Sequence, residues 1–345
     1  MKHKHLILLL LILFTSCKVD NELNTIFKDI KIVKCRQIEL NEILGKPNQL
    51  NVVDNYLIFM DEIENKLLTF YDITKKQIVW RCFYEGQGPN DLLMPVRVDV
   101  DTKNKIISIF QRRNGIYRAY NLTELLDNNT ISIIEINFPF GTEYVKKYDN
   151  GYFASGFFEN GPVAIHDKMG NLQNTINVYP DYLNVIKDVS NKYRIGQGPI
   201  DCLNDSIFVF ASIFTGDIKF YNIHDNYSLI PIESYFLKTA SSNFKNRVNN
   251  SPHNTPILET DIEHFTHIYT TNKYIYVLYS GESMKNKNNA KNSYVLKFDK
   301  KGKPIECYKT DYKLFQICVD ENDTVLYGIS ISENLDYILI EASIS

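Results

Sequence analysis

Apolar and polar positions along the chain alternate in short runs, and the runs recur. A polar turn carrying Asn or Asp leads into a strand of apolar and aromatic residues. A second turn follows, then a strand ending in apolar-aromatic-Asp or Asn. DNYLIFMDEIENKLLTFYD ends at Asp72, TKNKIISIFQRRNGIYRAYN at Asn121, DNGYFASGFFENGPVAIHD at Asp167 and NDSIFVFASIFTGDIKFYN at Asn222. A fifth copy, NKYIYVLYSG through SYVLKFD, contains a longer loop and ends at Asp299, and NDTVLYGISISENLDYILIE ends at Glu341. These end points lie 49, 46, 55, 77 and 42 residues apart. Further strand-like runs, such as LNVVD and QIVWRCFYEG, flank the copies. Four strands per unit at this period is the signature of a propeller blade. Helical periodicity is almost absent beyond the N-terminus, DYLNVIKDV at 181–189 being the nearest candidate.

The pattern predicts an all-β, six-bladed β-propeller of four-stranded antiparallel blades over 30–345. The sixth copy leaves too little chain for its own outer strand, so IKIVKCRQIEL at 30–40 is expected to supply it, closing the ring and removing exposed sheet edges. Composition agrees: 44% of the 345 residues are hydrophobic, and 23 Tyr and 20 Phe accompany a single Trp. The net charge of −3 offers no basic face for nucleic acid.

The N-terminus has a different pattern. Lys2 and Lys4 precede an apolar run from Leu6 to Phe14, too short to span a bilayer, and Thr15 and Ser16 precede Cys17. Residues 1–16 are therefore expected to be a lipoprotein signal peptide, and Cys17 the lipidated residue. Residues 17–29, beginning KVDNELN after the cysteine, are expected to form a tether. This gives a location in the cell envelope as an outer-membrane lipoprotein, periplasmic or surface-exposed, touching the membrane through the anchor alone. The other cysteines, Cys35, Cys82, Cys202, Cys307 and Cys318, lie mostly in apolar runs and are expected to be buried and free, with a bridge from Cys35 to Cys307 or Cys318 left open.

The copies ending in Tyr-Asp or Tyr-Asn, with GQGPND at 86–91, GQGPID at 196–201 and YIYVLYSG at 274–281, resemble the TolB-like six-bladed propeller lipoproteins of Bacteroidetes-type bacteria. The resemblance covers the chain from about residue 30 onward. It implies a fold and a location, and carries no catalytic residues.

Motifs of enzymatic propellers, P-loops and nucleophile elbows are missing from the sequence. His264 and His267, three apart on a strand, are expected on opposite faces and hence unable to share an ion. Asp205-Ser-Ile and Asp323-Thr-Val resemble short glycosylation acceptors, although ordinary turns explain them equally well. No cofactor is expected, with Ca2+ left open and any metal site unknown.

Strand order places the d-to-a connections and the b-to-c turns on one face. There Gln87, Asn90, Asp91, Gln197 and Asp201 of the GQGP elements are expected to rim the channel, with Arg112 and Arg113 as a clamp for an anion. The acidic MDEIEN turn (Asp61, Glu62, Glu64), the basic loop 280–292 and the Asn-rich insertion 238–262 are expected on the same face. The sequence thus points to a non-catalytic propeller binding a partner protein or a glycan through that face. The alternative is a metal-assisted lyase or lactonase working in the central channel.

Overall fold

The computed structural model describes residues 19–345 apart from 21, 89, 204 and 238–240. The expected signal peptide and Cys17 lie outside the described residues. The strands fall into six sheets arranged as blades, five of four strands and one of five. The innermost strands are Asn48–Val53, Pro95–Asp101, Thr142–Tyr148, Ile200–Leu203, Ile262–Thr270 and Gln316–Val319. They begin blades one to six in chain order, as the repeats predict.

Each seam between the first five blades is filled by an aromatic pair, which accounts for the abundance of Tyr and Phe. Phe83 meets Tyr120 at 4.8 Å, Tyr117 meets Tyr152 at 5.0 Å, Phe153 meets Phe208 at 4.7 Å and Phe220 meets Phe298 at 5.0 Å between centroids. The Asp closing a repeat also has a task. The Asp72, Asp167 and Asp299 carboxylates accept backbone N–H groups of the following turn at 2.7–2.9 Å, from Lys75, from Met169 and Asn171, and from Lys301 and Lys303. The acidic turns between the first two strands join neighbouring blades: Asp205 accepts the Asp149 N–H at 2.6 Å, and Asp323 accepts the Thr271 hydroxyl at 2.7 Å.

The N-terminal segment divides. Arg36–Gln37 pairs antiparallel with Tyr337–Ser343 as the outer strand of blade six, as predicted. Ile30–Val33 instead runs parallel to Pro304–Thr310 as a fifth strand of blade five. Part of the expected tether is seated: Leu23 and Phe27 are buried in the core shared by blades four and five, and Asp20 accepts the Tyr294 hydroxyl at 2.7 Å and pairs with Lys309 at 3.0 Å. Cys35, Cys82, Cys202, Cys307 and Cys318 are free, the last four buried, so the bridge left open for Cys35 is not formed.

The face carrying the d-to-a connections and b-to-c turns is called upper here, and the opposite face lower. The insertion expected to project as a polar loop contains the helix Ser241–Asn250, whose Phe244 and Val248 are buried against Tyr179, Leu183, Ile186 and Ile195 of the preceding blade connection. That connection holds a 3-10 turn, Asp181–Val185, and the helix Val189–Gly196. Arg194 donates to the Thr255 carbonyl at 2.6 Å, and Asn191 to that of Pro252 at 3.1 Å, tying the two insertions into one cap. The Asn-rich composition hid the apolar face of this helix, since Asn243, Lys245, Asn246, Asn249 and Asn250 are exposed and its two buried anchors are four apart.

Candidate functional site

Inside the ring, alternation along the innermost strands sends every second side chain to the channel. In RVDVD at 97–101, Val98 packs outward into the core between blades one and two, whereas Arg97, Asp99 and Asp101 line the channel cavity. Lys146, from blade three, and Asp201, from blade four, line the same cavity. Asp99 receives Arg97 Nε at 2.8 Å and Lys146 Nζ at 3.1 Å. Asp201 receives Lys146 at 2.8 Å and its neighbour's backbone N–H, from Cys202, at 2.8 Å, with an Arg97 terminal nitrogen at 3.9 Å. Two cations thus face two anions in a square spanning three blades, with Arg97, Asp99 and Asp201 buried and Lys146 half-buried.

The electrostatics follow from this mutual compensation. Burial opposes ionisation of Asp99, but the Arg97 and Lys146 cations outweigh it and hold the carboxyl below its ordinary range. Burial likewise opposes the Lys146 charge, and Asp201 and Asp99 together raise its pKa. Above the square, the Arg97 guanidinium lies 4.7 Å from the centre of the Tyr144 ring, and Gln49 donates to the Tyr144 hydroxyl at 3.2 Å. Across the channel His267 is buried, and its Nδ1 has no hydrogen-bond partner. Burial, aided by the Arg97 cation, lowers this ring's pKa to about 3, so the imidazole is neutral.

The cavity has a volume of about 670 Å3 and opens on the lower face, where its rim is made by turns between first and second strands. The rim carries Asp101, Asp149, Asp205 and Glu321 against Lys103 and Lys147, an acidic excess. Tyr269 adds a partly exposed aromatic wall.

Of the sequence-predicted site residues, only Asp201 lies in this cavity. Gln87 and Asn90 are exposed on the upper face. Asp91 is a loop staple: it accepts the Gly88 N–H at 2.9 Å, and a Cβ on Gly86 would lie 2.4 Å from its carboxylate. Arg112 pairs with Glu143 at 2.8 Å, and Arg113 is exposed beside it. Gln197 donates to the Arg194 carbonyl at 3.0 Å, and its own carbonyl accepts the Ile213 N–H at 3.0 Å. Asp61, expected at a loop tip, is buried and holds the Gly45 and Lys46 N–H groups at 3.1 and 2.7 Å.

The expected separation of His264 from His267 is present: His264 is buried beside Tyr279 and Gly216, outside the channel cavity. Among the described residues no three His, Cys, Asp or Glu side chains gather as a metal set. The motifs did not single out Arg97, Asp99 or Lys146, and His267 drew notice only as a metal partner for His264. The signal was charge at a spacing of two within the first strand of a blade.

Residues 27–322 match the family model described as TolB-like 6-blade propeller-like. The chain belongs to this family. Among solved structures it is similar to a Bacteroides fragilis protein named as exported, with 14% identity and a TM-score of 0.59 over 90% of this chain and 94% of that one. It is also similar to a member of the DUF4221 family from Bacteroides vulgatus, with 12% identity and a TM-score of 0.57 over 91% of this chain and 97% of that one. At these identities the likeness concerns the fold. No curated protein matches the sequence.

Proposed function

We propose that this TolB-like propeller is an exported, lipid-anchored, non-catalytic binding protein that takes a neutral saccharide in the lower mouth of its channel. Export is supported by the signal-like residues 1–16 and by the B. fragilis neighbour's name, and anchorage by Cys17 after Ser16. The observation that carries the binding reading is an electroneutral, internally satisfied square of charges lining an open cavity whose opposite wall holds His267, a neutral ring with its buried Nδ1 unpartnered. Such a wall offers hydrogen bonds without net charge, and Tyr269 offers a ring face, the combination that holds an uncharged polar ligand. The acidic rim disfavours uronates and other anions.

General acid–base catalysis needs a group that titrates near the working pH. Asp99 is held low, Lys146 high and His267 neutral, so none of these three is placed for that work, and Asp205 at the rim, raised by burial, already holds the Asp149 N–H. The glycan half of the sequence expectation is retained and moved from the upper face to the lower mouth.

Calorimetry of the full chain against neutral oligosaccharides, uronates and short peptides tests this reading. A neutral oligosaccharide at a hundred times its Kd should stabilise the fold by about 2.7 kcal/mol. Binding should be lost in His267→Ala and weakened in Tyr269→Ala. Binding by none of the oligosaccharides, or binding untouched by both substitutions, overturns it.

A further inference from the structure

The upper face exposes apolar side chains where its loops reach furthest. Ile43 is in the connection from blade six to blade one, Met94 from one to two and Phe140 from two to three, and Leu335 is in the b-to-c turn of blade six. Their exposures are 80%, 54%, 104% and 82%. Val185 and Leu258 of the cap add 44% and 40% on the same face. These side chains are distributed around the ring, one to a loop. On the lower face the exposed apolar side chains are Met169 and Leu172 at one outer turn, Ile131 and Ile133 at that of the adjacent blade, and Ile305 in blade five, so they gather at three outer edges rather than ringing the mouth.

The N-terminal segment joins the fold at this upper face. Asp20 binds Tyr294, at the start of its strand after a b-to-c turn, and Lys309, near the end of the strand leading to a d-to-a connection. From there the chain descends to Phe27, which packs on Phe298 at 5.4 Å, and climbs again as Ile30–Val33. Three residues span at most about 11 Å. Cys17 is therefore tied within that reach of Asp20, itself at the upper rim of blade five.

We propose that the upper face of the propeller rests on a lipid surface, with Ile43, Met94, Phe140 and Leu335 entering the interface and the channel mouth directed away from the membrane. The proposal rests on attachment through Cys17, and it is independent of what the channel binds. Apolar side chains presented from one face, next to an acyl anchor, give the second membrane contact that a single chain needs for firm attachment. The same geometry leaves the polar cavity open to the aqueous compartment.

Full-length chain in phosphatidylethanolamine–phosphatidylglycerol vesicles with brominated acyl chains tests this, in a Trp80→Phe background. A Phe140→Trp or Leu335→Trp reporter should be quenched strongly, and a Met169→Trp reporter on the lower face should not. The variant carrying Ile43→Ser, Met94→Ser, Phe140→Ser and Leu335→Ser should lose the quenching of a reporter at Val185→Trp while keeping its melting temperature. Quenching of the Met169 reporter alone, equal quenching on both faces, or none on either overturns the proposal. So does a dimer in sedimentation that the four serines dissociate, because a second copy then covers the face.

Discussion

Lys146 is the hinge of the charged square, since it alone contacts both carboxylates within 3.1 Å. Replacing it by Met leaves Asp201 with one backbone N–H and a distant Arg97. Removing one partner of a buried pair typically costs about 3–5 kcal/mol. We expect Lys146→Met to lose at least about 3 kcal/mol in urea unfolding, with much of it regained when Asp201→Leu is added, because an apolar pair of similar volume is often tolerated. A single variant as stable as the parent would mean the square is solvated in solution. Three buried histidines give a pH dependence, His166 also being held below the ordinary imidazole value by burial. His264 and His267 are held at about 3 by burial, whereas an unfolded imidazole titrates near about 6.5. Between those values the unfolded chain binds more protons, so stability falls as pH falls, by up to about 1.4 kcal/mol per pH unit for each ring. The depressed Asp99 adds to the loss below about pH 4, where an unfolded Asp protonates. Unfolding free energies at pH 7 and pH 5 should differ accordingly, and the His264→Asn, His267→Asn double variant should flatten the difference. An unchanged slope in that variant would place the titrating groups elsewhere.

Strands and their order were legible because each repeat carries its own punctuation: alternating apolar residues, then an Asp or Asn whose side chain caps the next turn. The helix Ser241–Asn250 was not, because two buried residues in ten, Phe244 and Val248, leave a weak apolar stripe within an Asn-rich stretch. The channel cavity, as a candidate site, was legible at Asp201 alone, and there for a different reason from the one that drew attention to it. GQGP marks a tight crossover, and Asp201 reaches the channel because it follows that crossover in an innermost strand. A Cβ on Gly198 would lie 1.8 Å from the Ala211 carbonyl oxygen, in the position where Gln197 and Pro199 bracket the end of the neighbouring strand. We expect Gly198→Ala to cost about 2 kcal/mol or more, as overpacking against fixed backbone does. Gln197→Ala keeps the backbone contacts and should cost less than about 1 kcal/mol, the worth of one partly exposed hydrogen bond. A reversal of that order in thermal melts would show that the element is held in shape by its side chain rather than by its backbone.

At the scale of the ring, stability depends on a closure made by residues more than 300 positions apart, Arg36 and Gln37 against Glu341 and Ile340. The parallel strand Ile30–Val33 and the buried Leu23 and Phe27 add to blade five, which is already complete with four strands. The two halves of the segment therefore have separable consequences. A chain beginning at residue 35 loses three buried apolar residues, Leu23, Phe27 and Val33, each worth about 1.5–3 kcal/mol, but keeps the ring closed. It should remain monomeric with a lower melting temperature. A chain beginning at residue 45 also loses the outer strand of blade six and the buried Ile38 and Leu44, leaving the edge of Tyr337–Ser343 without its partner. An unpaired edge is a template for association, so this shorter chain should aggregate or pair with itself in size-exclusion chromatography. If the two truncations behave alike and both stay monomeric, closure of blade six by Arg36–Gln37 contributes little, and the aromatic seams between blades hold the ring by themselves.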